Sequence, residues 1–399
     1  MPLRSTLLAL LLAYAAPTFA TTDHEFAACK QSLRSTAKAR GITADTFDAH
    51  VLPLQSDLSV LSLLDYQPEF RTPIWDYLAS LVDDERVGDG QAMLEQWQEP
   101  LKAISERFGV DAATVVAVWG VESNFGRNFG KRPLLQSLAT LSCFGRRQPF
   151  FRGELLSALQ IVQEGHVAAG QLTGSWAGAF GHTQFMPSTF MRVAIDFDGD
   201  GRRDLVGSIP DALASTANFL AKAGWDARRT WGFEVRLPAG FDAGDAGRRN
   251  KRPLREWAAR GVQRADGSPL DASAEPVGLL LPAGSEGPAF LVTKNFDALY
   301  SYNAAESYAL AIAHLSDRLR GQGPFATAWP TDDPGLSRRE RREVQQRLAA
   351  GGYAVGEIDG MIGDATRKAI VEYQTAEGLA VDGRAGRKLL DHLRGKVFP

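Results

Sequence analysis

The sequence predicts a mainly α protein, with a helical body interrupted by a small β insertion and followed by a C-terminal three-helix module. Three observations carry this. Apolar residues recur at three- and four-residue spacing in Asp111 to Ser123 and Gly153 to Glu164. Between Arg228 and Asn295, Pro and Gly recur around short runs such as Phe233 to Leu237 and Ala289 to Val292, which have the texture of strands. Beyond a Gly- and Pro-rich stretch, Ile358-Asp359-Gly360 is echoed by Val381-Asp382-Gly383, each an apolar residue and a turn dipeptide leading into a helix.

The first twenty residues pair a positive charge at Arg4 with a short apolar run from Leu7 to Ala16, ending in Thr18-Phe19-Ala20. This reads as a secretory signal cut near Thr21. No Cys follows the small residues, so no lipid anchor is expected. No later segment approaches the run of about eighteen apolar residues that a membrane span requires. With 44 basic against 47 acidic residues, a net charge of −3 argues against a general nucleic-acid binder. The cysteine count is two, Cys29 and Cys143. In an exported chain they are read as one disulfide tying the N-terminal segment to the core, with two buried thiols as the alternative.

The body is read as residues 21–320, with the β-rich insertion at about 228–295 and helical periodicity returning from Ala304 to Leu319. Residues 321–336 read as a linker and 337–399 as the module. From Ser337 onward the chain holds 12 Lys and Arg against 9 Asp and Glu, a balance of +3, so its electrostatics differ from those of the body.

Four strings carry chemistry. Asp111 is a plausible N-cap for a helix that runs to Glu122 in Val118-Trp119-Gly120-Val121-Glu122-Ser123. A carboxyl pressed against Trp and Val resists ionisation, so its pKa is expected to rise and it could donate a proton at neutral pH. The plain alternative is a surface Glu ending a helix. In Gly174 to Ser188, small residues permit close approach of a ligand, Ser175 and Gln184 offer hydrogen bonds, and Trp176, Phe180 and Phe185 offer flat apolar faces. That mixture suits a sugar, although it also suits a tightly packed loop. Tyr300-Ser301-Tyr302-Asn303, with Tyr308 beyond, gathers polar groups at what reads as the start of a helix that Asn303 could cap. Finally, Asp196, Asp198 and Asp200 with Gly201 match the opening of a calcium loop. Position twelve is Gly207 instead of Glu, and Asp211 is the nearest replacement. The alternative there is a solvated acidic turn.

Taken together, Val118 to Gly126, Gly174 to Ser188, the acidic loop and Tyr302-Asn303 resemble the lytic murein transglycosylase B family, glycoside hydrolase family 103, over most of residues 25–320. The tail, with its Gln-Gln-Arg-Leu, Gly-Tyr, Ile-Asp-Gly and Val-Asp-Gly elements, resembles the peptidoglycan-binding domain of the first type. The resemblance implies a lysozyme-like catalytic body with a helical domain and a small β domain, acting in the periplasm on peptidoglycan glycan strands. It implies Glu122 as sole acid/base and Ser175, Gln184, Tyr302, Asn303 and Tyr308 as lining the muramic-acid site. Asp196, Asp198, Asp200, the backbone of Arg202, and Asp211 would hold a structural calcium, and no organic cofactor is implied. A family cleft Tyr falls at Phe219 here, so its hydroxyl is absent or replaced. Partners in cell-wall synthesis or division leave no signature.

Hydrolytic glycosidases use two carboxylates, about 5–5.5 Å or roughly 6.5–9.5 Å apart. Apart from the acidic loop, no second carboxylate lies near these strings. A lone Glu122 is therefore read as acid and then base of a water-free cleavage yielding 1,6-anhydromuramoyl ends. The competing expectations are a hydrolytic muramidase with Glu154 as second carboxylate, and a non-catalytic wall-binding protein.

Overall fold

A computed structural model describes residues 19–65 and 72–396; the signal-like segment lies almost wholly outside them. Among the described residues no helix is long and apolar enough to cross a membrane.

The centre of the body is the helix Ala112–Ser123. Asp111 caps it, its Oδ1 accepting from the Thr114 amide at 3.0 Å. Val115, Val116, Ala117 and Val118 are fully buried, so this helix has no solvent face over that stretch. A helix apolar all round must be enclosed. Asp84–Gln96, Gln98–Phe108, Ile209–Lys222 and Glu306–Leu319 surround it.

A second apolar cluster is built on Leu134–Cys143 and Gln148–Gln163, against which the N-terminal helix packs. Cys29 and Cys143 are joined across 114 residues, with Cα atoms 5.8 Å apart. Beside this link, Phe26 stacks on Phe144, and Lys30 donates to the Leu52 and Leu54 carbonyls, both at 2.6 Å.

The β insertion is a five-stranded antiparallel sheet. Its strands run in the spatial order Arg252–Pro253, Pro276–Leu280, Ala289–Val292, Gly232–Arg236 and Gln263–Arg264. Pairing joins Phe233 to Leu291 and Leu279 to Leu291, so Ala289–Val292 is interior and wholly buried. Trp257 closes one face, its indole N–H donating to the Val277 carbonyl at 3.0 Å.

The stretch 321–336 has the composition of a linker but is packed down. Phe325 stacks on His314, with centroids 3.8 Å apart, and meets Phe290 edge-on. Glu234 accepts from the amides of Ala326 and Thr327 at 2.7 and 2.8 Å. Burial under this strap pushes the His314 imidazole down to about 3.

The module has helices Arg338–Ala350, Asp364–Ala376 and Arg387–Arg394 around Leu348, Ile370, Tyr373 and Leu390. Its echoed turns have one geometry used twice. Gln345 accepts from the Gly360 amide at 2.7 Å and donates to Asp359, while Gln374 accepts from the Gly383 amide at 2.9 Å and donates to Asp382. The repeated Asp-Gly pairs are thus structural. The basic excess also has a structural use. Arg384 grips Asp76 of the body with two hydrogen bonds, 2.6 and 2.7 Å. Arg342 pairs with Glu85, and Arg338 donates to the Asn124 Oδ1 at 3.0 Å while its amide donates to Asp83. The module is therefore docked on the body instead of hanging from it.

Candidate active site

Glu122 sits in the last turn of the buried central helix, half-exposed at the floor of a cleft of about 690 Å³. The chain then turns sharply, with Asn124 and Phe125 in the left-handed region at φ 51° and 58°. Beneath it, Ser123 donates to the His182 carbonyl at 2.6 Å, and the Trp119 indole N–H donates to His182 Nδ1 at 3.0 Å. His182 is held to about 4 chiefly by burial, so it stays neutral and keeps Nδ1 free to accept. These bonds lock the Glu122 helix to the loop 174–188. Close approach there requires glycine: a Cβ on Gly130 would lie 2.2 Å from the Gly174 carbonyl oxygen.

Tyr308, 3 % exposed, projects from the neighbouring helix and donates its hydroxyl to Glu122 Oε1. Tyr302 stacks behind it with centroids 6.1 Å apart, donating to the Thr183 carbonyl at 2.7 Å. Burial first, and then the charge of Glu122, holds both phenols well above their ordinary range, so both remain donors. Phe219 lies 4.7 Å from the Tyr302 ring and 5.9 Å from Phe185. It serves as an aromatic buttress between these two rings.

The predicted site residues separate into groups. Glu122, Asn303 and Tyr308 line the cleft together. Ser175 accepts from the Ala179 amide at 3.0 Å, and Gln184 donates to the Gly181 and Phe129 carbonyls. Both thus shape the loop that is joined to the Glu122 helix through His182. Asn303 does not cap the following helix: it ends Lys294–Asn303, Ala304 turns left-handed at φ 51°, and Ala305 takes the cap position with no side-chain bond. This frees the Asn303 amide for the cleft.

Glu154 does not share the cleft. It is buried on another helix, accepting from the Ser188 amide and hydroxyl at 2.9 and 2.7 Å. Two other carboxylates do line the cleft, Asp76 and Asp382, neither of which belongs to the cleft strings. Both are committed: Asp76 to Arg384, Asp382 to Gln374. The cleft also takes Tyr77 from the body and Arg367 from the module. No local pattern announces either one, because they reach the cleft only through tertiary packing.

In the acidic loop, carboxylate oxygens of Asp196, Asp198 and Asp211 lie within 4.8 Å of one another. Asp211 is fully buried and accepts from the amides of Phe197 at 2.7 Å and Asp204 at 2.8 Å. Asp200 stands outside this cluster, turned back onto the Arg202 amide at 2.8 Å. The Arg202 guanidinium goes to the His166 carbonyl.

A buried helix presenting one carboxyl to a cleft lined by Tyr77 and Tyr308, and braced from beneath by a glycine-rich loop, defines a lysozyme-like glycan-cleaving enzyme. The comparisons narrow this. Residues 25–317 match the transglycosylase SLT domain model and residues 337–393 a peptidoglycan binding domain model. The chain belongs to the SLT-domain transglycosylase family and is a peptidoglycan-cleaving enzyme. It is 31% identical over 272 residues to the membrane-bound lytic murein transglycosylase B of Escherichia coli, spanning 64% of this chain and 73% of that protein. SltB3 from Pseudomonas aeruginosa, solved with NAG-anhNAM-pentapeptide, is similar over 92% of this chain and 99% of its own, with 48% identity and TM-score 0.75. The E. coli Slt35 in complex with calcium is similar over 73% of this chain and 92% of its own, with 28% identity and TM-score 0.64.

Replacing Tyr308 with Phe removes a hydrogen bond to a charged group while keeping the ring. Such a bond contributes about 1.5–3 kcal/mol, so kcat on purified sacculi should fall roughly 10- to 100-fold with little change in melting temperature. An unchanged kcat would mean that the hydroxyl does not serve the chemistry.

Proposed function

We propose that the enzyme cuts the MurNAc-GlcNAc β-1,4 bond of peptidoglycan without water, with Glu122 as both acid and base. The observation that carries this is that Glu122 lines the cleft with its Oε1 accepting from the Tyr308 hydroxyl, which fixes the carboxyl that moves the proton. Glu122 protonates the glycosidic oxygen and the C1–O bond breaks. The substrate's acetamido group or nearby dipoles steady the oxocarbenium. The muramoyl C6 hydroxyl then closes on C1 and returns its proton to Glu122. Acid and base are regenerated in one residue, and the product end is a 1,6-anhydro sugar. Asn303, exposed at the cleft, would orient the acetamido group or the C6 hydroxyl. The commitment of Asp76 to Arg384 and of Asp382 to Gln374 supports this over a hydrolytic pair. The closed disulfide and the signal-like N-terminus support a periplasmic setting.

Replacing Glu122 with Gln should lower kcat at least 10³-fold while sacculus binding persists through the module, and wild-type muramoyl product ends should resist borohydride reduction. Residual cleavage by the variant near the wild-type rate, or reducible muramic-acid ends, would contradict the reading.

We further infer that Asp196, Asp198 and Asp211 hold a structural calcium. Their oxygens are hard donors, and three carboxylates this close repel one another without a cation. An ion bound only to the native state raises stability by about 2.7 kcal/mol at a hundredfold excess over Kd, or roughly 5–10 °C in Tm. Calcium should raise the melting temperature of the wild type and leave that of D211N unmoved. Equal melting in calcium and chelator would exclude the site.

A further inference from the structure

We infer that the catalytic cleft continues past Asn303 into a second chamber that seats the carboxylates of the peptide stem carried by the muramic-acid residue. This rests on the peptidoglycan reading above and adds to it a place for the polymer's charged branch.

The chamber, of about 730 Å³, lies between the sheet domain and the two helices that flank the catalytic pocket. It shares Thr72 with the Glu122 cleft. Along the chain the two spaces interleave: Asn303 and Tyr308 face the cleft, while Ala304 and Glu306 line the chamber. A branch leaving a sugar held at Glu122 therefore has only about the width of one residue to cross.

The charges in the chamber are unevenly committed. Arg248 is buried, flat over the Tyr300 ring at 3.5 Å, and paired with Asp297 at 2.8 Å and Glu306 at 3.6 Å. Lys251 also binds Asp297, at 2.9 Å. Arg249 is exposed at the chamber wall, and among the described residues no side-chain hydrogen bond or ion pair engages its guanidinium. Three cations, Arg248, Arg249 and Lys251, against two anions, Asp297 and Glu306, leave one positive charge, and it resides on Arg249. The loop that presents it is pinned. The Gly247 amide donates to the Leu279 carbonyl at 2.7 Å, the Asn250 amide group to the Ala246 carbonyl at 3.1 Å, and Lys251 Nζ to the Arg248 carbonyl at 2.9 Å. A pre-positioned, uncommitted guanidinium is a carboxylate receptor. N-acetylated sugar rings are neutral and offer it hydrogen bonds without a countercharge, whereas a stem peptide carries carboxylates beyond the ring.

The test compares wild type, R249A and R249K on glycan strands bearing stem peptides and on the same strands with the stem carboxylates capped as amides. R249A should raise KM on the uncapped strands about ten-fold relative to the capped strands, and R249K should recover most of that ratio through its charge. Equal shifts on both substrates would show that no stem carboxylate is held and overturn the inference, as would no shift on either. Wild-type enzyme that cut neither strand would overturn the transglycosylase reading, and the inference with it.

Discussion

The bond from the Tyr308 hydroxyl to Glu122 is the constraint on which the site depends. It joins the last turn of the buried Ala112–Ser123 helix to the adjacent Glu306–Leu319 helix, so the orientation of the Glu122 carboxyl is set by the packing of the core. Neither helix can shift without moving that carboxyl. The enclosure that makes the central helix apolar all round also supplies the low-dielectric wall behind Glu122. Trp119, Ser123 and His182 extend the same rigidity to the loop 174–188. Stability and pre-organisation therefore come from one set of contacts.

Around this point three bodies converge. The helical core supplies Glu122, the C-terminal module closes the cleft with Arg367 and Arg384, and the sheet domain walls the adjoining chamber with Arg248 and Arg249. Exposed ion pairs contribute little singly. Here the two-pronged Arg384–Asp76 grip, the Arg338 contacts and the packed strap at Phe325 act together, which fixes the module's register on the body. A module held this way has a set orientation relative to the cleft, a stronger constraint than a flexible tether imposes.

Much of this was legible in the residues. Asp111 and the apolar run announced the Glu122 helix, and the short runs at Phe233 and Ala289, set among recurring Pro and Gly, announced two strands. Two-residue strands such as Gln263–Arg264 are too short to show a period of two. The helix break at Ala304 was hidden because a left-handed Ala carries no glycine signal, and so Asn303 looked like a cap. The docking face was hidden because Arg338, Arg342 and Arg384 read as solvated charge until their partners, more than 200 residues away, are folded beside them. Asp200 matched the calcium pattern by spacing, yet its side chain serves the turn.

The central claim is that Glu122 gives one proton to the leaving sugar and takes another from the C6 hydroxyl, with no water entering the product. Digestion of purified sacculi in ¹⁸O-labelled water, followed by mass spectrometry of the muramoyl ends, tests it most directly. The account predicts ends that carry no label. Ends that carry one heavy oxygen for each bond cut would mean hydrolysis, and would require a second catalytic group in the cleft beside Glu122.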